Sequence, residues 1–434
     1  MSRDRCLHPV SDFAWRGDRP GAASLFEAPL DAAAHGLDGH FALHERGPGG
    51  VHRLARDPLG VNKLFWALTP DGVVSANYWI DLVRAGHAAA DVWSVPSGHV
   101  MEIDPAAQRL ALHRYALLDF AAAGDAEPSE EALARVRAAL DRAFGLLRPI
   151  AAGRPLYVTL FGGLDSTVVA VLAREHLGAF TGVTFAVAPG DSEDARHAHI
   201  VADALGVPIE RVVASRDEVL GELDDVLLYG QDWRDFNVHC GLVNAALARA
   251  IARRHPAGSS PRPLVLTGDG MNELLADYTP VEHAGRTFYR LPRMAPGRLR
   301  PHLVAGLDAG DREVGLFARH GIDVIQPYAL CAAAYAALPD AFIATPGAKQ
   351  RFVRALMGGR VPAAIYARPK VRAQVGGATC VGGTLAVLAD AGIDAEHLAQ
   401  RFAARIGLDP ALLGSRIRAG RYRYPTEFPK PEWS

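Results

Sequence analysis

From Arg154 onward the chain alternates between two hydrophobic rhythms. Unbroken apolar runs such as PLYVTLF, TGVTFAV, PIERVVA and RPLVLT are separated by stretches with apolar positions every three or four residues. Unbroken runs bounded by Gly and Pro predict strands covered on both faces, and the longer spacing predicts helices. The predicted helices are STVVAVLAREHL, SEDARHAHIVADALG closed by Gly206, and a stretch from about Cys240 to Arg254. Four such alternations predict an α/β fold with a doubly wound parallel sheet. The first 118 residues follow a different rhythm. HFALHERG, GVHRLARDP, KLFWALT, GVVSANYW and VPSGHVMEID are short, partly alternating runs divided by Gly, Pro and Asp, which predicts a β-rich region. A small, acidic linker follows at Ala121–Glu131. Within it Ser129 is placed to cap a helix that carries two glutamates in its first turn. The last 150 residues or so predict mostly helix.

Composition narrows this picture. A chain of 434 residues has room for about two to three domains. Its formal net charge of −2 calls for neither nucleic acid nor an anionic membrane. Lysine is scarce in this arginine-rich chain, so Lys63, Lys349, Lys370 and Lys430 each carry information. Cys6, Cys240, Cys331 and Cys380 form no Cys-x-x-Cys pair, which argues against structural zinc and redox motifs. There is no apolar leader and no run of 18 apolar residues, so a cytoplasmic location is expected. RTFYRLPRMAPGRLR and RIRAGRYRY interleave arginine with aromatics, and read as solvated faces rather than RNA or peptide contacts.

The chemistry concentrates where the first predicted strand meets its helix, in FGGLDST. Gly162 and Gly163 let the backbone bend and bring its N–H groups close to an anion. Ser166 and Thr167 open the helix at its positive end. Asp165 would repel phosphate unless Mg²⁺ bridges them. This is not the P-loop pattern, which needs Gly-Lys-[Ser/Thr]. It suggests a nucleoside triphosphate cleaved between its α and β phosphates.

FGGLDST resembles the pyrophosphate loop, S-G-G-x-D-[ST], of ATP pyrophosphatases of the PP-loop type. LTGDGMNELLADY (Leu266–Tyr278) resembles the second motif of asparagine synthetases and of β-lactam synthetase. GAKQRFVRALMGGRVPAAIYARPKVRAQVGG resembles their Lys-x-x-Leu-Arg … Arg-Pro-Lys segment. LARDPLGVNKLFWA through RYALLDF is similar to the second half of the glutamine amidotransferase domain of asparagine synthetases. The four segments stand in the family's order.

The resemblance implies an adenine nucleotide α hydrolase-like synthetase domain at 126–434. A β-rich remnant of an Ntn-type amidotransferase domain would precede it at 1–120. It implies ATP and Mg²⁺ as cofactors, an acyl-adenylate, release of AMP and pyrophosphate, and an amide product, in specialised metabolism such as antibiotic biosynthesis. Gly162, Gly163, Asp165, Ser166 and Thr167 would hold pyrophosphate and metal. The strand carrying Thr184 would run past adenine, and Gly268 and Gly270 would complete the nucleotide cradle. Lys370 falls on the family's catalytic lysine, with Asp269 and Glu273 as further catalytic candidates and Asn272 as second metal ligand.

Three departures qualify the expectation. Position 2 is Ser rather than the nucleophilic cysteine, and only about 45 residues precede FALHERGPGG, so no glutaminase is expected. Phe161 replaces a serine and Asn272 a metal-binding aspartate. Asp269 stands where relatives carry Glu or Tyr, which suits a general base or a replacement metal ligand. In DREVGLFARHGIDVIQPYAL, Asp311 or Glu313 offers a carboxylate to orient a nucleophile, against the plainer reading of helix-surface carboxylates. The substrates expected are a small-molecule or peptide carboxylate and an amine, intramolecular or separate. An ammonia-dependent amidotransferase and an inactive binding partner remain as alternatives, and a homodimer stays open.

Overall fold

The computed structural model describes residues 10–22, 24–120, 124–188, 192–256, 258–294, 296–376, 383–418 and 421–429. Ser2, Cys6, Cys380 and Lys430 therefore lie outside the described residues, as do 121–123 of the linker.

Ser129 caps the first long helix, α1 (Glu130–Ala151), its hydroxyl accepting from the Ala132 amide at 3.1 Å. The central unit then runs β1 (Leu156–Thr159), α2 (Leu164–His176), β2 (Thr181–Val187), α3 (Glu193–Leu205) and β3 (Ile209–Ala214). It continues with α4 (Asp235–Arg254), β4 (Leu264–Leu266) and β5 (Asp323–Ile325). All pairings are parallel, in the order β3-β2-β1-β4-β5. The register sets Tyr157 beside Thr181 on one side and Val265 on the other. β1, β4 and β5 are buried throughout, as strands covered on both faces must be. Ser192 caps α3, and Gly206 ends it at φ +62°.

The sheet corrects the sequence reading in two places. A fifth strand, β5, joins the four expected, and α4 begins at Asp235, one turn and more before Cys240. Three-residue strands such as β5 are too short to show a period. An antiparallel hairpin, Val281–His283 with Arg286–Phe288, stands at the start of the mostly helical last part. The arginine-aromatic segment at 286–300 is largely exposed, as expected, but buried side chains anchor both it and 416–424. Arg300 is fully buried and donates to the carbonyls of Leu274, Leu338 and Tyr335. Tyr422 is buried, and the Arg423 guanidinium lies 4.7 Å from the ring centre of Trp93.

The N-terminal region is β-rich, as expected, and its strands pair antiparallel. His52–Arg56 and His99–Asp104 form the centre of a four-stranded sheet, with Phe65–Thr69 at the centre of a three-stranded one. Phe65, Tyr78 and Trp79 join the same apolar core as α1 and β1–β5. Among the described residues no helix is long and apolar enough to cross a membrane.

Candidate functional site

Strand order reverses between β1 and β4, the place where ligands settle in open α/β sheets, beyond the C-terminal strand ends. Both glycine turns lie there. At Gly162, φ is +64° and a Cβ would come within 2.2 Å of His197 Cβ. At Gly268, a Cβ would stand 2.8 Å from the Ser166 amide nitrogen. The two turns therefore touch, and only glycine lets them.

A cavity of about 470 Å³ opens at this point, within the range of small-molecule sites, ~300–1,000 Å³. Gly162, Gly163, Asp165, Ser166, Gly268, Asp269, Asn272 and Lys370 all line it. The fold thus gathers two-thirds of the candidates named from sequence, drawn from segments as far apart as Gly162 and Lys370. The remaining four sit behind the wall. Thr167 spends its hydroxyl on the Gly163 carbonyl one turn back, at 2.7 Å. Gly270 precedes the short helix Met271–Leu274 at φ +100°. Thr184 is fully buried within β2, its hydroxyl without a partner. Glu273 is buried and accepts from Arg312 at 2.5 Å and from the Tyr278 hydroxyl.

Two lysines meet over the first turn. Lys349, from the helix α5 (Ala348–Met357), is buried and pairs with Asp165 and, at 3.2 Å, with Asp277. Burial pulls its pKa down, but the two carboxylates outweigh it and hold the ammonium above its ordinary range. Lys370 pairs with Asp277 at 2.6 Å and has a side chain 24% exposed. Desolvation, aided by the neighbouring Lys349 charge, pushes its pKa down to about 8. The Asn272 Oδ1 accepts from both ammonium groups, at 2.7 and 2.8 Å. Sequence reading quoted Asp277 only within a motif, and it named Lys349 without assigning it a role. The scarcity of lysine was the signal that singles Lys349 out.

Asp269 is held from two sides by one guanidinium. Arg312 Nε donates to its Oδ2 at 2.7 Å and Nη2 to its Oδ1 at 2.5 Å. Burial raises the Asp269 pKa, against the pull of Arg312. A base role for Asp269 would require Arg312 to let go. Asp311 and Glu313 are both buried, which overturns the helix-surface reading. Asp311 accepts from the amides of Glu313 and Gly315, at 3.1 and 2.8 Å, and shapes the loop. Glu313 reaches the cavity wall, accepting from Thr267 at 2.5 Å and Gln326 at 2.9 Å. Burial, with Asp269 nearby, raises its pKa well above the carboxylate range.

For a divalent cation the donors are Asp165 and Asn272, whose oxygens both contact the Lys349 ammonium. No group of three or more His, Cys, Asp or Glu forms a metal cage among the described residues. One carboxylate and one amide oxygen suit Mg²⁺, which takes most of its ligands from phosphate and water.

Residues 135–313 match the asparagine synthase family model. That span runs from within α1 to the loop carrying Arg312, so this part of the chain is similar to the asparagine synthase domain. Among solved structures, NMN synthetase from Francisella tularensis matches at 12% identity and a TM-score of 0.31. The match covers 63% of this chain and 93% of that one. No curated protein matches the chain.

Proposed function

We propose that the protein activates a substrate carboxylate with ATP and couples it to an amine. The observation that supports this reading is the convergence of Lys349, Lys370, Asp165 and Asn272 on the glycine turn at the sheet's switch point. The carboxylate oxygen would attack the α-phosphorus, and pyrophosphate would leave into the amides of the Gly162–Thr167 turn. The amine nitrogen would then attack the acyl carbon, AMP would leave with the bridging anhydride oxygen, and the ammonium proton would pass to solvent. Mg²⁺, when bound, would neutralise charge on the leaving pyrophosphate. The chain's own part is to hold phosphates with backbone N–H groups and two ammonium ions, placed before the reaction starts. Asp165 would hold the metal and set Lys349, and Lys370 at the rim would face developing charge on the acyl oxygen and phosphates.

The test is pyrophosphate release from ATP and Mg²⁺ across a panel of carboxylates and amines. Asp165→Ala should abolish release while the circular dichroism spectrum shows that the protein still folds. Undiminished release from that variant would remove the metal role, and ATP that fails to bind the wild-type protein would remove the function.

A further inference from the structure

The Lys349 ammonium stands where three oxygen donors meet. It pairs with the Asp165 carboxylate, donates to the Asn272 Oδ1 at 2.7 Å and lies 3.2 Å from the Asp277 Oδ2. The lysine side chain is only 8% exposed, whereas those of Asp165 and Asp277 are 19% and 29% exposed. All four residues line the cavity. A cation already sits among the oxygens that face the glycine turn, and the chain itself supplies it.

The backbone is bent to bring Asp277 there. After the short helix Met271–Leu274, Ala276 takes φ +49°, in the left-handed region that favours glycine. The Asp277 amide then donates to the Asn272 carbonyl at 3.0 Å. Strain of this kind gathers at functional sites, where the surrounding structure holds it. Here it sets the Asp277 carboxylate beside the Asn272 amide, so that both reach one ammonium. Asn272 brings an oxygen but no charge, which would leave Asp165 as the one anionic donor to a divalent cation. Asp277 supplies the second charge. Two carboxylates with phosphate and water oxygens make an ordinary ligand set for Mg²⁺. Asp277 also holds Lys370, at 2.6 Å. A cation that drew this carboxylate away would loosen the lysine at the rim.

Resting on the function proposed above, we infer that the Lys349 ammonium holds the place of the divalent cation in the nucleotide-free protein, and that Asp277 joins Asp165 and Asn272 as the cation's third protein donor. Lys349 turns to the phosphates when it gives up this place.

The test follows Mn²⁺ by electron paramagnetic resonance, with the protein alone and holding α,β-methylene ATP, which cannot be cleaved at that bond. Asp277→Asn should weaken Mn²⁺ binding by about tenfold or more, since even an outer partner of a ligand typically contributes that much. Adding Asn272→Asp to that variant should recover most of the loss. Lys349→Met, which removes the competing ammonium, should bind Mn²⁺ more tightly than wild type when nucleotide is absent. Asp277→Cys should give a thiolate-to-metal absorption with Cd²⁺ that the wild type lacks, because a soft cation bonds directly to sulfur. Circular dichroism checks the fold of each variant. Wild-type Mn²⁺ affinity in Asp277→Asn overturns the inference, as does a Lys349→Met protein that binds Mn²⁺ no more tightly, or a silent Asp277→Cys variant. So does a wild type that takes up no Mn²⁺ in either state. Mn²⁺ uptake as expected, with no pyrophosphate released from any substrate pair, counts against the ligase reading and leaves this inference standing.

Discussion

Lys370 carries a testable charge. Its pKa of about 8, lowered by burial and by Lys349, leaves it mostly protonated at neutral pH and neutral above. If its ammonium faces the transition state, amide formation should fall as pH rises through about 8. Lys370→Arg keeps its charge at any working pH. That variant should be slower, because a planar fork replaces a compact ammonium, but its rate should stay level over the same pH range. Lys370→Ala should lose about 10²–10³ in rate, the usual contribution of one such group, with ATP affinity changed far less. A near-wild-type rate in the alanine variant would make Lys370 a surface amine. Gly268 offers a test of geometry instead. The atoms its Cβ would strike are the backbone of Asp165 and Ser166, which cannot swing aside. Gly268→Ala should therefore cost about 1–3 kcal/mol in overpacking and part the two turns. A lower unfolding midpoint together with weaker ATP binding would show both effects, and unchanged ATP binding would show the contact to be structural only.

The element that closes the site is the segment around Arg368. Its guanidinium donates to the Phe161 carbonyl at 2.6 Å and pairs with Asp194 at the start of α3. Both side chains are almost wholly buried. Burial raises Asp194 to about 7 even with Arg368 beside it. The folded form therefore holds a proton that the unfolded chain has lost, and stability falls as pH climbs from the ordinary aspartate range toward 7. Arg368→Ala should raise that pKa further, so its deficit against wild type should widen above pH 7. The full deficit should be about 3–5 kcal/mol, as for other broken buried pairs. Denaturation midpoints at several pH values would check this, and adding Asp194→Asn should flatten the widening. Only part of this closure was legible beforehand. α1 through β4 showed in the hydrophobic rhythm because each is long or fully buried, and FGGLDST stood out because glycine and aspartate at a strand end have few other uses. Arg368 and Asp277 stood inside quoted motifs and Arg312 inside a quoted segment, but nothing local told their partners. Arginine is common in this chain, and which arginine meets which carboxylate is settled by tertiary packing between distant segments. Asp311 and Glu313 were misread for the same reason, since a helical pattern does not show which face another element covers.

At the scale of the whole molecule, the N-terminal sheets act on the site through one loop. Residues 307–313 end in Arg312 and Glu313, and their shape is set from the other side of the protein. Arg56, 1% exposed, donates to the Asp308 carbonyl at 2.7 Å and pairs with its carboxylate at 2.7 Å. Its remaining donors meet the carbonyls of Gly60, Asn62 and Val95. Lys63 reaches the Leu307 carbonyl at 2.8 Å, and the Tyr78 hydroxyl reaches that of Gly315 at 2.7 Å. The loop is thus pinned at both ends by residues from the β-rich region, while Arg312 at its centre clasps Asp269 and Glu273. Replacing Arg56 with methionine keeps most of the apolar stem and removes every one of these donors. It leaves Asp308 buried without its partner, at a cost of about 3–5 kcal/mol, a large share of a typical total of ~5–15 kcal/mol. Because the apolar core runs across both regions, the chain should still unfold in one transition, at a lower denaturant midpoint. Pyrophosphate release should fall as well, although Arg56 does not line the cavity, because a loosened loop lets Arg312 drift from Asp269. Asp308→Asn keeps the shape but neutralises the carboxylate that Arg56 pairs with, so it should lose less of both. If Arg56→Met loses stability yet releases pyrophosphate at the wild-type rate below its unfolding range, the sheets support the fold without setting the site.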